Sequence, residues 1–539
     1  MTSRQQLLTR VEKAAREVFG HEHLLGGQAE AMTALLDGHD VLLVSPTGSG
    51  KSLVYQVAGV LTEGCTLVVS PLLALQQDQV DGIRSAPGGL TACRLSSAES
   101  EAEKREVVER ATAGEVDFLF CSPEQLANDE VRAAIGAAGI RLVAVDEAHC
   151  VSAWGHDFRP DYFRLGVLLA DLVDEHGAPP RVVAMTATAA PPVQEDIVDR
   201  LDLREPRTVL TGFARDNLAL EVTRVNEEAD QHRAVVELVA AAEGSGIVYC
   251  RTRPKAEEYA TALAEAGRRT AVYHAGLTHR RREETHEAFM ADEVDVVVAT
   301  SAFGMGIDKP DVRFVVHAQV PESPDTYYQE VGRAGRDGEP ATATLVYRPE
   351  DLALGRFFSG GIPKKKDVHA VLRAAGEVGT EPKDVAEASG FGPRKTGRIL
   401  NLLALVHETR PEANAPDDAV AAVVEVAESH RQLERSRVDM MRGYAETDRC
   451  RAAYLQGYFG EQAEQRCGRC DNCRAGVAED PVVEQDAAYP VQSDVVHTEF
   501  GPGVVTDVED DRVTVLFDSV GYRTLSLDVL DEQDLLELA

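Results

Sequence analysis

The segment Val41 to Ser52, VLLVSPTGSGKS, constrains this chain more than any other. Its apolar start reads as a strand, its glycines as a tight turn and Lys51-Ser52 as the opening of a helix. That succession gathers several backbone N–H groups and a helix N-terminus around one anion. In it Thr47, Gly48, Ser49 and Gly50 form the cradle, Lys51 reaches the β- and γ-phosphates of a nucleotide and Ser52 meets Mg²⁺. Four more short strands follow at the spacing of βα units: Thr66 to Ser70, Asp117 to Cys121, Leu142 to Val145 and Val182 to Met185. Each ends in a polar or proline-containing string, SPLLALQQDQ, SPEQL, DEAHC and TATAAPP, so polar groups collect on one edge of a parallel α/β sheet.

The third of these strands ends on Asp146 and Glu147. Adjacent carboxylates there divide two roles, Asp146 holding Mg²⁺ and Glu147 orienting and deprotonating the attacking water. Close behind come Trp154, the one Trp of the chain, His156, Phe158, Arg159, Tyr162 and Phe163. Flat rings beside phosphate chemistry suggest stacked bases.

The string DEAHCVSAWGHDFRP resembles motif II and the aromatic-rich loop of the RecQ family of DNA helicases. The resemblance implies that Trp154, Phe158 and Arg159 couple strand contact to ATP hydrolysis. It also implies that Gln28, upstream of the first strand, reads the adenine edge with its amide donor and acceptor. Leu25 and Gly26 stand where the family usually has Arg-Pro. By the same resemblance SPLLALQQDQ and SPEQL hold the phosphodiester backbone, and Thr186 to Thr188 link the ATP state to the grip on the strand.

A second βα array runs through Gly246 to Cys250, Thr270 to His274, Val294 to Thr300, Val312 to Ala318 and Thr342 to Tyr347, without a phosphate loop of its own. ATSAFGMGIDKPDVR, which contains Thr300 on the DNA side, and QEVGRAGRDG match motifs V and VI of the same helicases. Arg333 and Arg336 lie three apart, so on a helix both would point to one side and could meet the γ-phosphate across a cleft, Arg336 as the finger and Arg333 behind it.

After Gly361 the pattern turns helical. Val368 to Ala375, Pro382 to Ser389 and Arg394 to Val406, with GFGP before the last, resemble a helix-turn-helix or winged-helix unit in which Arg394, Lys395 and Arg398 would face DNA. RecQ proteins usually carry that unit after the zinc module; here it comes before. Cys450, Cys467, Cys470 and Cys473, with 16, 2 and 2 residues between them, suit a closed tetrahedral Zn²⁺ site of the structural type. The other five cysteines are scattered singly, the usage of a reducing compartment. The tail, Val495 to Leu530, alternates with period two and indicates a small antiparallel barrel. It resembles the Tudor/SH3-like module of UvrD-type helicases, which implies a protein partner such as RNA polymerase or a repair factor.

The net charge of −35 argues alone against nucleic acid, but it is partitioned. From Arg474 to the end 16 acids face 3 arginines, a balance of −13, whereas Ile362 to Arg410 holds 9 Lys and Arg against 6 acids, or +3. No apolar run is long enough to span a membrane and no secretory leader is visible, so a cytoplasmic or nucleoid-associated protein is expected. The expected order is a first RecA-like lobe with N-terminal helices (1–205), a second lobe (206–360), the winged-helix-like unit (361–412), the zinc module (413–477), a linker (478–490) and the barrel (491–539). The expected activity is ATP- and Mg²⁺-dependent unwinding, 3′ to 5′, of DNA with a single-stranded 3′ tail, in repair or recombination. The rivals are a translocase that does not separate strands and a DNA-binding scaffold associated with transcription in which ATP is only a switch.

Overall fold

The computed structural model describes residues 3–539 apart from 72, 97–98, 153–161, 163, 174–176, 305–306, 308, 359–360, 411, 414, 480–487 and 510. It contains two compact units, Met1–Pro349 with Tyr444–Val483, and Glu350–Gly443 with Glu484–Ala539.

The first unit holds two parallel sheets. Strands β1 (Val41–Val44), β2 (Cys65–Val69), β3 (Ala92–Leu95), β4 (Phe118–Cys121), β5 (Ile140–Val145), β6 (Arg181–Thr186) and β7 (Arg207–Leu210) form one, in the order β3-β4-β2-β5-β6-β1-β7. Strands β8 (Leu218–Arg224), β9 (Ser245–Tyr249), β10 (Thr270–Tyr273), β11 (Val296–Ala299), β12 (Val312–His317) and β13 (Ala341–Tyr347) form the other, β10-β11-β9-β12-β13-β8. These are the two βα arrays expected from the strand spacing, the two RecA-like lobes that the family resemblance implied. Helices on both faces bury β1, β2, β4 and β11 along their whole length, which is why these strands read as unbroken apolar runs. Strands β3, β7 and β8 escaped the sequence pattern. All three end a sheet, where one flank has no neighbour, and their sequences mix charge with apolar residues: ACRL, RTVL and LALEVTR.

The first lobe is locked by one buried carboxylate. Asp40, 1% exposed just before β1, accepts from Val182 N at 2.8 Å through Oδ1, and from Arg204 N at 2.8 Å and Arg204 Nε at 3.1 Å through Oδ2. Asp40→Ala would leave the buried Val182 N–H without an acceptor and free the Arg204 side chain, and a loss of about 3 kcal/mol in the first lobe's stability is expected in urea unfolding.

Residues 444–479 complete this unit. Arg451, 4% exposed, donates to Asp471 Oδ1 at 2.5 Å and to Tyr444 O at 2.7 Å, and Asp471 Oδ2 accepts from Val222 N of β8 at 2.9 Å. The cysteine-bearing segment is thereby fastened to the open edge of the second sheet.

The second unit contains helices Lys365–Val378, Pro382–Ser389, Pro393–Thr409 and most of Pro416–Glu446, around Val368, Val371, Val385, Ile399, Val406, Val420 and Val423. Among its described residues 350–443 there is no strand, so no wing of the expected winged-helix-like unit is formed there, and the three helices with their glycine turn pack on the long helix instead. The alternating tail folds as a five-stranded antiparallel sheet. Its strands are β14 (Asp494–His497), β15 (Gly501–Val508), β16 (Arg512–Phe517), β17 (Gly521–Ser526) and β18 (Leu536–Leu538), in the order β17-β16-β15-β14-β18. It seats on the long helix at Gly521, where a Cβ would lie 2.3 Å from Ser436 Oγ, and Tyr522 N donates to the same hydroxyl at 2.9 Å. Among the described residues no helix is long and apolar enough to cross a membrane.

Candidate active site

The phosphate loop leaves the carboxyl end of β1, with Ser45 N bonded to Thr186 O of β6 at 3.0 Å. Gly48 and Gly50 sit at φ +82° and +69°, a region that L side chains rarely adopt. A Cβ at Gly50 would also lie 2.8 Å from Gln28 Nε2. Lys51 folds back over the loop, its Nζ donating to Ser45 O at 2.9 Å and Pro46 O at 3.1 Å. Burial pulls its pKa below the ordinary lysine value, while the charges of Glu147 and Asp146 oppose that and Arg336 adds to it.

Ser52 begins the helix Ser52–Leu61, and its Oγ accepts from Gln79 Nε2 at 3.2 Å. Gln79 in turn accepts from Tyr55 OH at 3.3 Å through Oε1. It belongs to the SPLLALQQDQ string expected to hold DNA, yet its amide faces the nucleotide side. Asp146, at the end of β5, has its carboxyl pushed up to about 7 by burial first and by the Glu147 charge second, with Lys51 pulling the other way. Gln79 hydrogen-bonds both this carboxyl and the Ser52 hydroxyl, and such a pair of oxygens is a fitting site for a divalent cation.

Glu147 adopts the left-handed region at φ 50°, ψ 46°, which turns its side chain away from the strand direction. Its Oε2 is buried and accepts no hydrogen bond among the described residues; His149 Nδ1 lies 3.3 Å away. The Thr186 hydroxyl donates to Thr188 O at 3.0 Å, so His149 Nδ1 is the donor in its 3.0 Å contact with Thr186 Oγ1. His149, 2% exposed, thus stands between Glu147 and the turn after β6. It lay unassigned within the DEAHC string.

The two arginines part company. The helix Pro324–Val331 ends before them, and Arg333 and Arg336 lie in the turns that follow, so the shared helical face expected from their spacing does not exist. Arg333, 6% exposed, packs into the second lobe, its Nη2 3.1 Å from where a Gly304 Cβ would stand. Arg336 reaches the first lobe: a Cβ on Gly48 would be 2.9 Å from its Cγ.

Arg215, which no motif reading picked out, bridges the same gap. Its Nη1 donates to Thr47 O at 3.2 Å and Gly332 O at 3.4 Å, and its Nη2 to Ala334 O at 3.1 Å and Gly335 O at 3.0 Å. Burial lowers its pKa from the usual guanidinium value. The only sequence signal was its place, in the short link between β7 and β8. Leu25, Thr47, Gly48, Arg215, Asn217 and Arg336 line a cleft of about 250 Å³ between the lobes.

Gln28 is fully engaged. Its Nε2 donates to Ser49 O at 2.9 Å and Gly50 O at 3.0 Å, and its Oε1 accepts from Leu25 N at 2.8 Å. It therefore supports the phosphate loop in this conformation, and reading a base edge requires it to exchange partners. Thr300 follows β11, with its N–H on Tyr273 O at 3.2 Å. Trp154, Phe158 and Arg159 lie outside the described residues. In the second unit Arg394, Lys395 and Arg398 are all exposed, Lys395 while held by Asp367 at 2.8 Å and lying 3.8 Å over the Phe391 ring.

The four clustered cysteines converge, all four Sγ atoms lying within 4.8 Å of one another and Cys467 Sγ 4.0 Å from Cys473 Sγ. Tetrahedral thiolates at the usual Zn–S length of about 2.3 Å would be roughly 3.8 Å apart, so the set fits zinc.

Comparison with known proteins agrees with this geometry. Residues 26–197 match the DEAD/DEAH box helicase family, 230–338 the helicase conserved C-terminal domain and 414–474 the RecQ zinc-binding family. The ATP-dependent DNA helicase RecQ of Bacillus subtilis (strain 168) is 34% identical over 87% of this chain and 67% of its own length. That of a Synechocystis strain is 34% identical over 88% of this chain and 100% of its own. The chain spans 67%, 62% and 61% of the lengths of the first three bacterial relatives. The solved structure of Mycobacterium smegmatis helicase Lhr bound to ssDNA and AMP-PNP is similar in fold, with TM-score 0.51 and 23% identity over 74% of this chain and 57% of that one.

Proposed function

Since the chain belongs to the RecQ family of ATP-dependent DNA helicases, we propose that it hydrolyses ATP with Mg²⁺ to unwind duplex DNA from a single-stranded 3′ tail, moving 3′ to 5′, in DNA repair or recombination. The observation that carries this reading is Arg336 lying on Gly48: a side chain of the second lobe reaches the phosphate loop of the first. Hydrolysis between the lobes then becomes relative motion of the lobes.

Bound ATP and Mg²⁺ supply the phosphoanhydride and the charge that draws it into place. Lys51 exchanges its two carbonyl partners for β- and γ-phosphate oxygens. Ser52 and Asp146 hold the cation. Glu147 Oε2, which accepts no hydrogen bond among the described residues, takes the proton of the attacking water. Arg336 meets the γ-phosphate. Gln28 is the residue for the adenine edge, and Trp154, Phe158, Arg159, Thr186 and Thr300 are the residues through which strand contact is felt at the nucleotide. Arg394, Lys395 and Arg398 are the exposed cations for a duplex phosphate backbone. Cys450, Cys467, Cys470 and Cys473 hold a closed structural zinc. The acidic C-terminal sheet is a Tudor/SH3-like module for a protein partner, RNA polymerase or a repair factor, and the protein works in the cytoplasm or on the nucleoid.

The test is unwinding of two matched duplexes, one with a 3′ and one with a 5′ single-stranded tail, with Trp154→Ala alongside. Opening of the 3′-tailed duplex alone, lost in the variant while ATP binding persists, is the expected result. ATP hydrolysis with neither duplex opened would replace unwinding by translocation.

A further inference from the structure

The short link between the lobes is held from a direction that nucleotide chemistry does not require. The zinc-bearing segment approaches it with the turn Phe459-Gly460-Glu461. Glu461 Oε2 accepts from Phe213 N at 2.6 Å, and Glu461 Oε1 is 3.1 Å from where a Cβ on Gly212 would stand. Gly212 is at φ +81°, so the absence of a side chain there serves both the backbone conformation and the approach of the carboxylate. The Phe213 ring stacks on Phe459, centroids 4.4 Å apart and planes 14° from parallel, and Tyr328 packs edge-on against both. Tyr328 OH donates to Phe213 O at 2.9 Å. Both polar groups of the Phe213 backbone are therefore committed, one to the zinc segment and one to the helix that leads into Arg333 and Arg336.

The same turn touches the first lobe. Gly460, at φ +74°, has no room for a Cβ, which would lie 2.6 Å from Pro191 Cγ at the start of the helix that follows Thr188. On either side of Phe213 the link reaches the phosphate loop. Thr211 Oγ1 donates to Ser45 Oγ at 2.8 Å, which donates to Ser49 Oγ at 2.7 Å, and Arg215 donates to Thr47 O. One backbone amide, pinned by a carboxylate, thus lies two residues from each of the two contacts that the link makes with the loop. A charged acceptor on a backbone N–H is among the stronger hydrogen bonds, and this one is largely shielded, since Phe213 is 7% and Phe459 1% exposed.

We propose that Glu461 is a positioning residue for ATP hydrolysis: through Phe213 N it clasps the interlobe link, so that the zinc module sets where Arg215 and Arg336 stand over the phosphate loop. Cys467 is six residues further along the chain, so the metal holds the clasp in register. The inference rests on the ATPase reading above, and wild-type hydrolysis in the presence of single-stranded DNA is the control that judges that reading separately.

The test measures kcat and KM for ATP at saturating single-stranded DNA, zinc content, and hydrogen exchange with and without Mg²⁺ and a non-hydrolysable ATP analogue, on the full chain. Glu461→Ala is expected to lower kcat about tenfold with KM for ATP and one zinc per chain retained. It should also abolish the protection that the analogue confers on the peptide containing Arg336. Glu461→Gln, which keeps an acceptor oxygen, should restore most of kcat. Gly212→Ala attacks the same contact from the link, leaves the zinc segment untouched and should copy Glu461→Ala; it decides the matter if Glu461→Ala folds poorly. Unchanged kcat and unchanged protection in both variants would overturn the clasp, as would a loss of kcat that merely follows loss of zinc. If the wild type hydrolyses no ATP the functional reading falls, and the exchange experiment still judges the clasp.

Discussion

Replacing Arg336 by alanine is expected to lower kcat for DNA-stimulated ATP hydrolysis by about 10³ to 10⁵, the range over which an arginine finger acts. ATP binding should change far less. The asymmetry follows from placement: the adenine side, Lys51 and Asp146 all belong to the first lobe, whereas Arg336 arrives from the second and meets the phosphate loop at Gly48. Its charge is needed most when negative charge builds on the transferring phosphoryl group. Lysine would not rescue it, because a single ammonium cannot reproduce the planar fork of donors. Arg333→Ala should behave differently, disturbing the second lobe at Tyr249 and Gly304 and lowering thermal stability, since this side chain is buried inside that lobe. Single-turnover rates and equilibrium nucleotide binding of both variants distinguish these outcomes. A kcat for Arg336→Ala within tenfold of the wild type would remove Arg336 from the transition state.

Cys470→Ser is expected to cost the zinc and, with it, the fold of residues 444–479. Cys470 is fully buried, and its backbone N–H bonds Cys467 Sγ at 3.4 Å, so a replacement there touches two ligands at once. Binding of structural zinc is worth on the order of 10 kcal/mol at neutral pH, more than the hydrogen bonds of Arg451 and Asp471 within the segment supply. The damage should spread to the second lobe. Arg451 and Asp471 fasten the segment to Val222 of β8, Arg474 adds Glu221 at 2.5 Å, and the Tyr444 and Tyr327 hydroxyls meet at 3.0 Å. Chelation of the wild-type protein should reproduce the variant, read as disappearance of one thermal transition together with release of one zinc per chain. If Cys470→Ser kept its zinc and its melting profile, the four-thiolate site would be wrong.

Much of this architecture lies in local sequence, and what was missed shares a cause. Interior strands such as VLLV of β1 and VVVA of β11 are buried on both faces and declare themselves as apolar runs. Strands β3, β7 and β8 close the ends of their sheets, so partial exposure admits Arg94, Arg207 and Arg224 and the pattern dissolves. Motif spacing alone singled out Lys51, Ser52, Asp146, Glu147 and the four cysteines, and the fold brings those cysteines together. Motif spacing did not single out Gln79, His149 and Arg215, because each is placed by hydrogen bonds to distant segments, Ser52 for the first, Thr186 for the second, and Thr47 with the Gly332 to Gly335 turn for the third.

By itself the sequence determined the two parallel sheets, the phosphate loop, the paired carboxylates, the four-thiolate cluster and the alternating tail. Each is a short-range pattern whose chemistry needs particular residues at particular spacings. Only the tertiary structure decided which arginine crosses to the phosphate loop, that Gln28 rests on Ser49 and Gly50, and that the zinc segment grips the link at Phe213. Those are meetings of residues about 20 to 290 positions apart, set by how the lobes and the zinc segment pack, and no local periodicity encodes a contact at that range.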